Sequence, residues 1–433
     1  MLFYNITYID ENFCVVPNAY IGTQGSRITY IGDCPPQDEH SYGRRYDGCG
    51  KLAINGFFNT HSHMPMALLR GYGENMSLND WLHQRIFPFE DHLTADDIYW
   101  STLLCSAEML RYGIVSTTDM YMKGRAMGDA FRDAGVKANF GIGATCFSER
   151  CYPDLPQYAE TMELIKDYHN TEDQRLKIDF SMHAEYTSQP NMVRTLAETA
   201  FKHGLNMHVH VSETAAERAE CQQRHNGMSP VEYLNDLGIF DVPTTAAHCV
   251  HLSDEDIDIL AQKKVTVATC PKSNLKLASG ICPADRLLKK GVNIALGTDS
   301  VASNNNLNFI EEMRFFALIH KGNSLDPTLI TPEQALAAAT ANGARSQQRM
   351  DCGLIKQGNR ADIVVLNIDQ PHMKPAHNLL NNLIYSAAGS DIMLTMVDGE
   401  VRYENGDWPH LDIEKIYAKT EKSRLRILSQ LAQ

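Results

Sequence analysis

Apolar runs suited to β-strands alternate with helix-like stretches through the middle of the chain, and this alternation limits the fold more than any other feature. Strand-like runs occupy 52–59, 114–119, 136–143, 176–182, 206–211, 244–247, 265–269 and 293–297. Helical patterns fall between them, as at 98–111, 191–203, 254–263 and 284–290. Continuous apolar strands separated by helices belong to parallel sheets. Eight such units over about 250 residues predict an α/β fold, a (β/α)₈ barrel of the TIM type. The alternative is an open doubly wound sheet, which often carries a glycine-rich phosphate loop after its first strand. Here the first strand runs into Asn59-Thr60-His61-Ser62-His63, which is no phosphate cradle.

The two ends read differently. Residues 13–16 and 27–31 are short β-like pieces, as are 361–367 and 394–403, the last with a turn at Asp398-Gly399. The expected division is 1–51 as the N-terminal part of a small β-sandwich, 52–350 as the barrel, and 351–433 as the rest of the sandwich with a terminal helix.

Composition narrows the function. The 433 residues are 43% hydrophobic and 21% charged, which permits a large core and excludes a mainly disordered chain. A formal charge of −14 argues against nucleic acid, whose binding needs a basic patch. No apolar run approaches the ~20 residues that span a bilayer. The N-terminus lacks a basic segment followed by an apolar stretch. The 11 Cys include no C-x-x-C pair, which reads as reduced thiols. A cytoplasmic protein is expected. Its expected partners are a small molecule and further copies of the same chain, with neither nucleic acid nor membrane.

His61-Ser62-His63 places two rings on one side of a strand end, since strand side chains alternate with a period of two. Two neutral imidazoles so placed can share a divalent metal. With 17 His in the chain, roughly 0.7 such pairs arise by chance, so the motif needs support. Other strand ends supply it. His208-Val209-His210-Val211-Ser212-Glu213 closes the fifth strand, His248 the sixth, and Asp299 the eighth. Barrel strands converge at their C-terminal ends on the active site. His61, His63, one histidine of the fifth strand, His248 and Asp299 should therefore face one pocket. Two or three imidazoles with one carboxylate suit Zn²⁺ or Fe²⁺.

In this order, with the asparagine-rich Ser303-Asn304-Asn305 after the last Asp, the chain resembles the amidohydrolase superfamily in its aminohydrolase branch. It looks most like the 5′-methylthioadenosine/S-adenosylhomocysteine deaminases. The resemblance covers nearly the whole chain. It includes Thr60-His61-Ser62-His63-Met64-Pro65, Leu68-Leu69-Arg70-Gly71, Trp81-Leu82 and Pro88-Phe89-Glu90-Asp91. It continues through His210-Val211-Ser212-Glu213-Thr214, Ala246-Ala247-His248-Cys249, Pro271-Lys272-Ser273-Asn274-Leu275-Lys276-Leu277 and Gly297-Thr298-Asp299.

The resemblance implies one divalent metal per chain, Zn²⁺ or alternatively Fe²⁺, held by His61, His63, His210 and Asp299. It makes His210 the ligand rather than His208, which is read as a satisfied barrel histidine. The binuclear branch uses a carboxylated lysine at the fourth strand end, and here that end reads Met182-His183-Ala184-Glu185.

Deaminating an aromatic amidine carbon needs a nucleophilic hydroxide, a proton for the ring nitrogen and a proton for departing ammonia. A metal supplies the first by lowering the pKa of water. A carboxylate that is not a ligand can move the protons, as in zinc nucleobase deaminases. Glu213 is the candidate. Asp299 would also accept a hydrogen bond from the hydroxide, and His248 would orient it. The resemblance further implies that Glu90 holds the ribose hydroxyls, Trp81 lines the sugar pocket, and His183 bonds the purine ring.

The expected substrates are 5′-methylthioadenosine and 5′-deoxyadenosine, with S-adenosylhomocysteine and adenosine as further candidates. One departure bears on this choice. The arginine that grips the homocysteine carboxylate in such enzymes should fall near Gln157-Tyr158, where no basic residue stands. Two rivals share the sequence signals: a deaminase of free guanine, a pterin or a triazine, and a non-catalytic protein with a structural metal.

Overall fold

The computed structural model describes residues 1–432. Eight parallel strand positions form the barrel: Phe57–Ser62 (β1), Ile114–Tyr121 (β2), Lys137–Ala144 (β3), the pair Leu176–Ile178 and Phe180–Met182 (β4), Met207–Val211 (β5), Thr244–His248 (β6), Thr266–Thr269 (β7) and Asn293–Leu296 (β8). Each is paired in parallel with the next from β1 to β8. The ring closes where the backbone N–H groups of Thr298 and Asp299 both donate to the His61 carbonyl, at 3.1 and 3.0 Å. Closure therefore draws the β8 end directly against the histidine pair.

The connecting helices include Ala95–Arg111 (α1), Gly124–Ala134 (α2), Pro156–Tyr168 (α3), Pro190–His203 (α4), Ala215–Arg224 (α5) and Asp254–Gln262 (α6). Their starts follow local chemistry. Thr94 and Asp97 form a reciprocal capping box at α1, and Ser253 with Asp256 does the same at α6. Pro occupies the first position of α3 and α4, where its missing N–H costs nothing. The terminal helix Ile413–Leu431 lies on α1, with Arg426 paired to Asp97.

Both chain ends build a second, mixed sheet. Its order is Glu400–Glu404, Ile392–Val397, Ile363–Asn367, Lys51–Asn55, Leu2–Ile9, Val15–Gln24 and Arg27–Gly32, with Arg45–Asp47 beside Leu2–Ile9. One buried cluster takes Ile28 from one end of this order and Leu394 and Met396 from the other, so the sheet curls around its own core.

The run 52–59 reads as one strand, but it is divided between the two sheets. Asn55 pairs with Ile363 in the mixed sheet, and Phe57 pairs with Ile114 in the barrel. Gly56 stands at the crossing, where a Cβ would lie 2.3 Å from Val115 Cγ1. Only the absence of a side chain lets the backbone pass so close. Below the barrel, buried Lys137 at the start of β3 binds Asp398 at 2.7 Å and also Asp362, joining barrel to sheet. All 11 cysteines are free. No helix among the described residues is long and apolar enough to cross a membrane.

Candidate metal centre and active site

The strand ends bring eight of the nine anticipated residues to one cavity of about 500 Å³: His63, Trp81, Glu90, His183, His210, Glu213, His248 and Asp299. The ninth, His61, is fully buried behind them. The backbone turns sharply here. Ser212, His248, Cys249 and Asp299 adopt left-handed conformations with φ of 51°, 69°, 50° and 58°. Non-glycine residues hold such angles only where the surroundings enforce them, and this occurs most often at functional sites.

The donor atoms converge. His63 Nε2 lies 3.2 Å from His210 Nε2 and 3.4 Å from Asp299 Oδ1, and His61 Nε2 lies 3.6 Å from the same oxygen. Donors held about 2.0–2.1 Å from a tetrahedral ion stand about 3.3–3.4 Å apart, so this spacing fits an ion at their centre. Hydrogen bonding behind the rings agrees. His63 Nδ1 donates to the Met120 carbonyl at 2.7 Å, and His210 Nδ1 to the His183 carbonyl at 2.6 Å. A carbonyl only accepts, so both Nε2 lone pairs face the centre. Without a cation those lone pairs would repel. His61 Nε2 is buried with no hydrogen-bond partner, an atom left waiting for a ligand bond.

Electrostatics keep the donors in ligand form. Burial pushes His61 down to about 3 and His210 well below its ordinary value, so both rings are neutral. Burial works to raise Asp299, but the facing His61, His248 and His63 outweigh it and hold the carboxyl well below the usual range. Ser273 and Ser303 hydroxyls donate to Asp299 Oδ2 at 2.6 and 2.9 Å, turning Oδ1 toward the histidines.

His208 faces the barrel interior one layer down, where its Nε2 meets His61 Nδ1 at 2.8 Å. Its other nitrogen is buried without a partner, so the ring is satisfied on one side only. His248 stands beside the centre. Its Nδ1 donates to Asn274 Oδ1 at 2.8 Å, and its Nε2 is 3.8 Å from Glu213 Oε2. His61, His248 and Asp299 also offer atoms within 4.8 Å of one another, so His248 is close enough to reach the ion too.

Glu213 sits at the turn from β5 into α5 and is not needed as a ligand. Burial raises its pKa, and Ser279 Oγ donates to Oε1 at 3.3 Å. Its backbone is clamped by Glu217, whose carboxylate accepts from the N–H groups of Ser212 and Glu213 at 2.8 and 2.6 Å.

Glu90 is buried on the cavity wall, takes the Tyr121 hydroxyl, and is raised by burial. Trp81 and Glu90 are nine residues apart and would face about 180° apart on a regular helix. A π-helical turn, Leu82–Ile86, widens the winding between them, and both reach the cavity. His183 follows β4 and is held near 4 by burial. The Thr187 hydroxyl can give its proton to the Ala184 carbonyl at 3.0 Å or to His183 Nδ1 at 3.2 Å.

Sequence reading missed the supports. Asp119, at the end of β2, accepts from Ser62 Oγ at 2.9 Å and Met64 N–H at 2.7 Å, fixing the turn that carries both histidines. Burial raises its carboxyl to about 6. Glu217 had a signal, since it is four residues beyond Glu213 at a helix start. Ser273 and Asn274 lay in a motif already noticed, without a role.

A parallel barrel that converges neutral imidazoles and a carboxylate on one divalent-metal site, beside a free buried acid, defines a metal-dependent hydrolase. The chain belongs to the amidohydrolase family, whose profile matches residues 52–402. It is 40% identical over 417 residues to a 5-methylthioadenosine/S-adenosylhomocysteine deaminase of Thermoanaerobacter pseudethanolicus, covering 96% of each chain. A protein of the same description from Dictyoglomus thermophilum is 39% identical over 384 residues, 89% of each chain. Among solved structures, a zinc-bound adenosine deaminase from Xanthomonas campestris superposes with a TM-score of 0.91 at 28% identity, over 99% of this chain and 98% of that one.

Proposed function

We propose that this chain is a hydrolytic deaminase of adenosine-type nucleosides, releasing ammonia and the inosine analogue. The observation that carries this reading is one cavity with two buried, non-ligand carboxylates, Glu213 beside the metal site and Glu90 on the wall. The first suits a proton shuttle and the second a diol, since a carboxylate accepts two hydrogen bonds. The deaminases to which the chain is 38–40% identical support the substrate class.

His61, His63, His210 and Asp299 would hold the ion, which supplies Lewis acidity and makes water a nucleophile near neutral pH. Glu213 takes the proton of the attacking water and passes it to the purine N1. It then moves the second proton to the departing amine, so one water is consumed and one ammonia leaves. Its raised pKa matches a group that must both accept and release a proton. His248 directs Nε2 at the attacking oxygen, while Asn274 fixes its ring. Glu90 receives the ribose hydroxyls and Trp81 covers the sugar. His183 donates from Nε2 to a purine ring nitrogen when Thr187 turns its hydroxyl to Nδ1.

Ammonia release from the metal-loaded protein tests this reading. The substrates are 5′-methylthioadenosine, 5′-deoxyadenosine, adenosine, S-adenosylhomocysteine, adenine and guanine. Turnover of nucleosides is expected. Turnover of free bases only would overturn the roles of Glu90 and Trp81, and no ammonia from any amino-heterocycle would overturn the enzyme reading.

A further inference from the structure

Part of the cavity wall lies away from every group assigned to the base or the ribose. It includes Ile142, Thr145, Pro156, Gln157 and Glu160. If the purine amidine is at Glu213 and the ribose at Glu90, this wall faces whatever the nucleoside carries on its 5′ carbon. This placement rests on the nucleoside reading above.

The wall is acidic and acceptor-rich. Gln157 and Glu160 are three residues apart at the start of α3 and share one helix face. The Gln157 amide oxygen is enclosed and has no hydrogen-bond partner. Glu160 Oε1 accepts from the Gly124 N–H at 2.8 Å. Among the described residues no lysine or arginine lines the cavity. Arg150, in the preceding loop, spends its guanidinium on the Asp154 carbonyl.

We infer that Gln157 and Glu160 form a 5′-substituent subsite that admits hydrogen-bond donors and cations and turns away anions. An ammonium at this place gives protons to both acceptors. A carboxylate there loses water, finds no cation, and meets the like charge of Glu160. A neutral alkyl or thioether group enters without either effect.

The test is kcat/KM for three nucleosides on the metal-loaded enzyme: 5′-amino-5′-deoxyadenosine below the pKa of its amine, 5′-deoxyadenosine, and adenosine 5′-carboxylic acid. A preference for the cation over the anion of at least about tenfold is expected, the low end for one charge-assisted hydrogen bond. Glu160→Gln should flatten that ratio and Glu160→Lys should invert it. Each ratio is taken within one protein, so a general loss of activity cancels. A flat ratio in the native enzyme overturns the inference without any variant, and so does a ratio that neither substitution moves. If 5′-deoxyadenosine is deaminated but charge makes no difference, the subsite fails and the nucleoside reading stands. If 5′-deoxyadenosine is not deaminated, both fall.

Discussion

Asn274→Ala separates the orientation of His248 from the metal site. In the native chain His248 Nδ1 donates to Asn274 Oδ1 at 2.8 Å, with both residues buried. This bond keeps the proton off Nε2 in the neutral ring, so a lone pair faces the cavity and Glu213. Alanine removes the acceptor. The ring must then leave a buried N–H unpaired, at about 1–3 kcal/mol, or move its proton to Nε2 and present a donor. Either outcome takes the same amount from the arrangement that meets the attacking water, which corresponds to a fall in kcat of roughly 5–150-fold at 1.4 kcal/mol per decade. The assay is steady-state kcat with metal content measured on the same preparation. Metal should stay stoichiometric, because the four donors assigned to the ion keep their own hydrogen bonds. Asn274→Asp should restore much of the rate, since it keeps an acceptor in place. A kcat within twofold of native would refute the orienting role. Loss of metal in Asn274→Ala would show that His248 is itself a ligand, as its proximity to His61 and Asp299 permits.

Three further outcomes are expected. Glu213→Gln keeps metal and nucleoside binding but loses about 10²–10⁴-fold in kcat, because an amide cannot carry the proton; a variant within a few-fold of native removes Glu213 from the chemistry. Chelation abolishes turnover, and one Zn²⁺ or Fe²⁺ per chain restores it while raising the melting temperature by mass action; two ions per chain, or turnover without metal, contradicts the site. Burial raises Asp179, beneath the barrel, from 3.8 to about 6, so between these values the folded chain keeps a proton the unfolded chain has released. The associated stability is present below the lower value and is lost as pH rises through the upper one, by ~3 kcal/mol. Asp179→Asn should remove this fall in denaturant titrations, and a native-minus-variant difference that stays constant across the window would refute it.

The pattern in the chain was enough for the barrel and for much of the site, because both rest on local periodicity. Apolar strands and intervening helices repeat along the sequence, and H-x-H at a strand end aims two rings one way whatever surrounds it. The observed helix α4, Pro190–His203, differs by one residue from its sequence reading. Convergence is another matter. His61 and Asp299 are 238 positions apart, and they meet because barrel closure hangs the Thr298 and Asp299 amides on the His61 carbonyl. His208 and His210 have the same strand parity, and only depth in the barrel separates them. One reaches the back of His61, and the other reaches His63 across the ion site. The passage from one sheet to the other at Gly56, within a run that reads as a single strand, was decided by a contact with Val115 that no local pattern encodes. Asp119, Glu217 and Asn274 likewise became legible only in three dimensions. A buried carboxylate or amide is defined by the groups it satisfies, and the fold, not the neighbouring sequence, brings those groups to it.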